Sequence, residues 1–144
     1  MSPEEIRAGS LAAVTTYFDA FEAGDLVKMT DVLAADVVHT LAMSFDGGVE
    51  PGLVLAGRDE VLGFLSGILR QVSRRDLSDR RTTAGEDGNT VFVEAVGDAE
   101  IAGSGISYKN VYVFKFECAD GQVKRITEYA NPVAAHKALN IPLG

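Results

Sequence analysis

Residues 106–118 read ISYKNVYVFKFEC, and two kinds of side chain alternate along them. The even positions from Tyr108 to Phe116 carry tyrosine, asparagine or phenylalanine, whereas the odd positions carry valine, lysine or glutamate. Since successive side chains of a strand point to opposite faces of a sheet, this stretch predicts a long strand with one aromatic face. The turn signal Asp120-Gly121 follows, and it predicts a hairpin that leads to a last strand over residues 123–129.

Further strand-like runs precede this hairpin. They are an early run at 36–43 and two later runs at 77–83 and 90–101. Four glycines and one proline interrupt residues 44–57, which we expect to form a loop or a short hairpin. The sequence therefore predicts about six strands, of which the last four follow one another as antiparallel neighbours.

Helical periodicity lies in the first half of the chain and at its end. Apolar residues recur every three or four positions after Ser2, whose side chain can form a capping box with Glu5, and Gly24 is a natural helix stop. A short second helix follows, and a third covers about residues 58–73. A short last helix begins at Asn131-Pro132.

Helices and strands that are segregated in this way indicate the α+β class. Six strands in an antiparallel or mixed sheet are too few to close a wide barrel. We therefore expect a curved sheet covered by the three helices of the N-terminal half, which form a lid over a cone-shaped pocket. A chain of 144 residues is one domain's worth, so we expect a single domain over 1–144.

The composition excludes several classes of function. Acidic residues outnumber basic ones 21 to 13, and the formal net charge of −8 disfavours nucleic acid and anionic membranes as partners. One cysteine, two histidines and no recognisable phosphate, dinucleotide or zinc motif predict neither a metal centre nor a cofactor. No apolar run approaches the ~20 residues of a membrane helix and the N-terminus is acidic, so we expect a cytoplasmic protein.

Several short motifs follow one another along nearly the whole chain. They are YFDAF (17–21) with Gly24-Asp25, GRDEV (57–61), YKNVY (108–112), DGQV (120–123) and TEYANP (127–132). In this order they resemble the SnoaL-like branch of the nuclear transport factor 2-like (NTF2-like) superfamily. That superfamily includes ketosteroid isomerases, polyketide cyclases and limonene-type epoxide hydrolases, and the resemblance implies an NTF2-like cone.

The resemblance also implies a function. It suggests a cofactor-independent enzyme of the SnoaL-like or ketosteroid isomerase-like type that acts on a small apolar molecule, with isomerase, cyclase or epoxide-opening chemistry. The Asp-Arg-Asp set of the limonene-type hydrolases is not recognisable, which makes epoxide opening the weakest of the three. The alternative is a non-catalytic small-molecule binding protein of the same fold, because one fold hosts many unrelated activities.

By resemblance to the ketosteroid isomerases, Tyr17 on the first helix and Tyr112 on the aromatic strand occupy positions that hold an oxyanion. The general-base aspartate of those enzymes falls at Leu41, which moves no proton. His39 is a possible substitute, because histidine titrates near neutral pH. The competing interpretations are that Tyr17 lies at the boundary of the core, that Tyr112 only packs, and that His39 is neutral and satisfied by a neighbour.

Glu128 is the second acid/base candidate, since a carboxylate among apolar groups is prone to change its protonation state. An ion pair with Arg58 or a lysine is the competing interpretation. Arg58 itself either clamps a substrate at the mouth of the cone or pairs with nearby acids. The expected catalytic residues are His39, Glu128 and Tyr17, and the expected substrate-binding residues are Asn110, Tyr112, Tyr108, Arg58, Leu41 and Phe18.

Two surface features complete the sequence interpretation. Val111 and Val113 lie on the face of the long strand opposite the aromatic side chains, and apolar surface there predicts a homodimer through the outer face of the sheet. Five arginines between positions 70 and 81 stand out in this acidic chain, and we interpret them as a solvated or interface patch.

Overall fold

The computed structural model describes all 144 residues, which form four helices and six strands. The helices are α1 (Pro3–Ala23), α2 (Leu26–Val32), α3 (Arg58–Gln71) and α4 (Pro132–Leu139). The strands are β1 (Leu33–Leu41), β2 (Leu53–Ala56), β3 (Val72–Ala84), β4 (Thr90–Ile101), β5 (Ser107–Ala119) and β6 (Gln122–Ala130).

The six strands form one sheet in the order β2-β1-β6-β5-β4-β3. All neighbours are antiparallel except β1 and β6, which are parallel. The edge strands β2 and β3 do not pair with each other, so the sheet is open. Register shifts interrupt β1–β6, β3–β4 and β5–β6, and such bulges bend and twist a sheet. The predicted α+β class and mixed six-stranded sheet are confirmed.

Helix α1 begins and ends as its sequence predicts. The Ser2 hydroxyl accepts a hydrogen bond from the Glu5 backbone N–H at 3.1 Å and donates one to the Glu5 carboxylate, also at 3.1 Å. Such a cap is worth about 1 kcal/mol. At the other end Gly24 takes the left-handed conformation, and its N–H bonds back to carbonyls of the last turn.

Helix α3 is shorter than predicted, and the strand after it is longer. The helix ends at Gln71 rather than near residue 73, and β3 starts at Val72 rather than residue 77. The early strand β1 covers 33–41 instead of 36–43, and the segment 44–57 contains the short strand β2. The start of β3 was missed because an edge strand that is largely exposed needs no apolar alternation.

The sequence interpretation of the arginines was a solvated or interface patch, and in the structure two arginines of β3 bind α1. Arg75 donates to the carbonyls of Phe21 and Glu22 at the C-terminal end of α1, where helix carbonyls lack partners and a cation is favourable. Arg80 forms an ion pair with Glu22 on the same helix. These contacts fasten β3 to α1 and thereby position the helix over the sheet.

One face of the sheet packs against the helices. Phe114 and Phe116 of β5 pack against Phe18 of α1 at centroid distances of 5.2 and 5.4 Å in edge-to-face geometry. The core continues through α2 and α3 and leaves a hollow next to Phe114. No helix is both long and apolar enough to span a bilayer.

Candidate functional site

A cavity of about 430 Å³ lies between the helices and the inner face of the sheet, and 20 of the 29 residues that line it are hydrophobic. Apolar walls with a few convergent polar groups are typical of small-molecule sites. Six of the nine predicted site residues line this cavity, namely Tyr17, Phe18, Leu41, Tyr108, Tyr112 and Glu128. The other three, His39, Asn110 and Arg58, lie outside its wall.

Glu128 contributes a carboxylate to the cavity wall. The parallel register of β1 and β6 pairs Leu41 with Glu128 and His39 with Ile126, which makes His39 and Glu128 diagonal neighbours on one face. The His39 Nε2 lies 3.1 Å from Glu128 Oε1. No lysine or arginine contacts this carboxylate, so its partner is the histidine and not Arg58 or a lysine.

His39 lies behind Glu128 and is 1% exposed. The imidazole ring also packs edge-to-face against Phe64 at 5.9 Å. His39 Nδ1 is the one buried side-chain nitrogen or oxygen of the protein that has no hydrogen-bond partner. Leaving a buried polar atom unpaired costs about 1–3 kcal/mol. The lack of a partner for Nδ1 therefore affects which ring nitrogen carries the imidazole proton.

Three tyrosine hydroxyls share the cavity with Glu128. Burial, with a smaller contribution from the negative charge of Glu128, raises the pKa of Tyr17 well above its ordinary value. Burial, the neighbouring Tyr108 and Glu128 raise the pKa of Tyr112 in the same direction. A phenol with a raised pKa keeps its proton and acts as a neutral hydrogen-bond donor.

Few of these phenol protons are used within the protein. The hydroxyls of Tyr108 and Tyr112 lie 3.5 Å apart and can share one hydrogen bond, while the Tyr17 hydroxyl makes none. Tyr17 as a whole is buried, but its hydroxyl oxygen is not one of the fully buried atoms without a partner, so this oxygen is accessible from the cavity that Tyr17 lines. Two O–H groups therefore remain free to donate to a ligand.

Asn110 holds Tyr108 instead of facing the cavity. Its Nδ2 donates to the Tyr108 hydroxyl at 2.7 Å and to the Asn131 carbonyl at 3.1 Å. Its Oδ1 accepts from the backbone N–H groups of Val111 and Asn131. Every donor and acceptor of its amide is already paired within the protein, so the structure gives Asn110 the role of holding Tyr108, and the expectation that it binds the ligand stays a prediction.

Arg58 is also displaced from its predicted position at the mouth. It begins α3, and its Nη1 donates to the Leu33 carbonyl at 3.4 Å. The guanidinium forms no ion pair with the neighbouring acids either. In this structure the side chain connects α3 to the start of β1, and the expectation that Arg58 clamps a substrate stays a prediction.

The comparisons with known proteins agree with the fold. The model of the SnoaL-like domain matches residues 14–126, most of the chain. The chain belongs to the SnoaL-like domain family. No curated protein matches it.

Solved structures show the same fold, and one of them is described as an NTF2-like protein from Burkholderia xenovorans LB400, 17% identical with a TM-score of 0.73 over 91% of this chain and 95% of the other. A phenazine biosynthesis-related protein from Pseudomonas aeruginosa is 23% identical, with a TM-score of 0.82 over 99% of this chain and 92% of the other. A proposed isomerase from Bacillus subtilis is 18% identical, with a TM-score of 0.81 over all of both chains. A proposed polyketide cyclase from Xanthomonas campestris pv. campestris is 27% identical, with a TM-score of 0.78 over 93% of this chain and 98% of the other.

The wall of the SnoaL-like cavity carries charged residues that the sequence interpretation missed. Arg75 is its one basic side chain, and each of its three guanidinium nitrogens donates to a backbone carbonyl. Asp76 and Asp98 both bind Arg74, which lies off the wall. With Glu128 included, the wall has three carboxylates, and Glu128 is the one that no lysine or arginine pairs. The acidic composition indicates an excess of carboxylates, but only the pairing register of β3 and β4 shows that Asp76 and Asp98 lie on the cavity wall.

Gly97 is a second residue that the sequence interpretation missed. It lies on β4 next to the ring of Tyr112, and a Cβ at this position would stand 2.5 Å from Tyr112 Cε2. Only a residue without a side chain lets the phenol lie flat against the strand here. Tyr112 then stacks on Phe114 at 5.3 Å, which sets the direction of its hydroxyl.

Proposed function

We propose that this SnoaL-like domain is a cofactor-independent enzyme that moves a proton on a small, uncharged ketone with an apolar body. The observation that carries the proposal is the carboxylate of Glu128, which faces an apolar cavity, has no cationic partner and lies beside free phenol donors. These are the parts that abstraction of a proton next to a carbonyl group requires.

Each part has a role in this reaction. Glu128 takes a proton from the carbon beside the carbonyl group, and the electron pair of that C–H bond moves to the carbonyl oxygen. Phenol O–H groups from Tyr17 and from the Tyr108–Tyr112 pair donate to that oxygen as it becomes negative. Donors of this kind are worth on the order of 2.7–4 kcal/mol each. Where a C=C bond adjoins the enolate, return of the proton to the far carbon of that bond shifts the double bond and completes an isomerisation. In an aldol-type cyclisation the enolate carbon attacks a second carbonyl group of the same molecule, the C=O π electrons move to its oxygen, and that oxygen takes the proton back from Glu128.

The charges on the wall favour an uncharged substrate. Arg74 partly offsets the charges of Asp76 and Asp98, whereas Glu128 has no lysine or arginine partner and repels an anion placed beside it. Two like charges 4 Å apart interact by about 4 kcal/mol near a protein surface. Carboxylates and phosphate esters are therefore disfavoured. The description of one relative as a proposed polyketide cyclase and of another as a proposed isomerase is in line with ketone chemistry.

Exchange of carbon-bound hydrogen for solvent deuterium tests the proposal without knowledge of the natural product. 2-Tetralone, a bicyclic ketone, is incubated in D2O with the protein, and deuterium uptake next to the carbonyl is followed by NMR against a protein-free blank. We expect the wild type to accelerate exchange, and we expect Glu128→Gln to reduce the exchange rate by a factor of roughly 10²–10⁴. Glu94→Gln is the matched control, since Glu94 is exposed and lies off the cavity wall.

Two results would contradict the enzyme proposal. In one, the wild type binds 2-tetralone but exchanges it no faster than the blank, and the domain is then a small-molecule binding protein without chemistry. In the other, Glu128→Gln exchanges as fast as wild type, and the carboxylate is then not the base.

A further inference from the structure

We infer that His39 is a positioning residue that sets the direction of the Glu128 carboxylate. The inference rests on the proposed role of Glu128 as the base. His39 is 1% exposed and lies outside the cavity wall, so it touches no substrate. Its polar contact within the protein is the 3.1 Å contact between its Nε2 and Glu128 Oε1. His39 therefore influences the reaction only by acting on the Glu128 carboxylate.

The unpaired Nδ1 determines which tautomer makes this contact. A proton on Nδ1 would be a buried N–H donor without an acceptor, and Nε2 would then direct a lone pair at the carboxylate oxygen. Protons on both nitrogens would add a charge and leave the same N–H unpaired. In the neutral ring with its proton on Nε2, no N–H group is left unpaired, since Nε2–H donates to Glu128 Oε1 and Nδ1 carries only a lone pair.

This hydrogen bond assigns separate tasks to the two oxygens of Glu128. Oε1 accepts from His39, whereas Oε2 accepts no hydrogen bond within the protein and is the oxygen left for the ligand. The edge-to-face contact with Phe64 prevents the imidazole from rotating away. The histidine therefore holds Oε2 in a constant direction relative to the phenol donors, as partner groups do for the side chains of other active sites.

Two amide substitutions separate positioning from simple packing. The Nε2 of glutamine is separated from Cα by the same number of bonds as the Nε2 of histidine, whereas the amide of asparagine ends one bond earlier. We expect His39→Gln to exchange 2-tetralone at a rate close to wild type. We expect His39→Asn to lower kcat by a factor on the order of 10², with KM changed much less, because the base is misplaced and the ketone still binds.

Nitrogen-15 NMR of the wild type tests the tautomer independently of any activity. In protein labelled at histidine, the signals of His39 are distinguished from those of His136 by comparison with His39→Gln. We expect a protonated Nε2 and an unprotonated Nδ1 at neutral pH. A protonated Nδ1, alone or together with Nε2, would overturn the inference.

The kinetic outcomes are equally decisive. Equal loss of kcat in His39→Gln and His39→Asn, or no loss in either, would show that donation to Glu128 is not what His39 supplies. If the wild type itself exchanges no ketone while NMR finds the Nε2–H tautomer, the proposed reaction fails and the structural role of His39 toward Glu128 stands.

Discussion

Gly97 determines how Tyr112 reaches the cavity. The ring lies so close to the Gly97 Cα that an added methyl group would stand 2.5 Å from it, and both the ring and the strand backbone are held by their neighbours. Overpacking of this kind costs about 1–3 kcal/mol. Because Gly97 has no side chain, it determines where the Tyr112 hydroxyl, one of the donors in the proposed reaction, points.

A double-mutant cycle tests this dependence. We expect Gly97→Ala to lower the free energy of unfolding by about 1–3 kcal/mol in urea titrations, and to cost much less when Tyr112→Leu has already removed the ring. The same loss in both backgrounds would show that Gly97 and Tyr112 do not depend on each other.

Single residues also show which features of the site could be predicted from the sequence. Tyr17 and Tyr112 were assigned to the cavity by resemblance to the ketosteroid isomerases, and Glu128 by the strand periodicity that determines which face a side chain occupies. The contact between His39 and Glu128 was not predicted as such. It joins residues 89 positions apart through the parallel pairing of β1 and β6, which no local pattern specifies.

At the scale of the elements, two glycines have opposite requirements, Gly9 within α1 and Gly24 directly after its last residue. Gly24 ends the helix with φ of +71°, and a Cβ there would also approach the guanidinium of Arg75 to 3.0 Å. Gly9 lies inside the helix, where an added Cβ would meet no atom within 4 Å. An L side chain is strained at the first position and favoured at the second.

This contrast gives a matched pair of substitutions. We expect Gly24→Ala to destabilise the protein by roughly 1–2 kcal/mol, or more where Arg75 is displaced, and Gly9→Ala to stabilise it by roughly 0.5–1 kcal/mol. Chemical unfolding of the two variants measures both values. Changes of the same sign would contradict the assignment of Gly24 as the helix stop.

Elements with strong periodicity or caps were predicted, and the exceptions have a physical reason. The caps of α1, the span of β4 and the hairpin at Asp120-Gly121 follow local signals. The beginning of β3 gives no such signal, because Arg74 and Arg75 pair with acids and with helix carbonyls instead of packing in the core. Tertiary contacts thus override local preference at that edge of the sheet.

At the scale of the whole molecule, the outer face of the sheet exposes an apolar patch across three strands. Val96, Val111, Val113 and Tyr129 are 37–61% exposed, and the register places Val96 beside Val111 and Val113 beside Tyr129. Contiguous exposed apolar surface favours association. A patch that pairs with its own copy gives a symmetric dimer, which is the homodimer expected from the sequence.

Light scattering tests the dimer. At micromolar concentration we expect a mass twice the 15.3 kDa of one chain. Val111→Lys, in the middle of the patch, is expected to give the monomer because a charge would be buried between copies. Val49→Lys is the control, since Val49 is 98% exposed in the loop between β1 and β2 and lies outside the patch. A wild-type mass of 15.3 kDa would exclude the dimer.

Titration with 2-naphthol, followed by its fluorescence, tests most directly whether the apolar hollow beside Glu128 is a binding site. This compound has the planar shape and oxygen position of the enol that 2-tetralone forms when it loses a proton, and sites built for such a species bind its analogues more tightly than the substrate. We expect one molecule per chain, displaced by 2-tetralone and bound at least roughly tenfold more tightly than the ketone. Lack of saturable binding, or binding that 2-tetralone does not displace, would contradict the account.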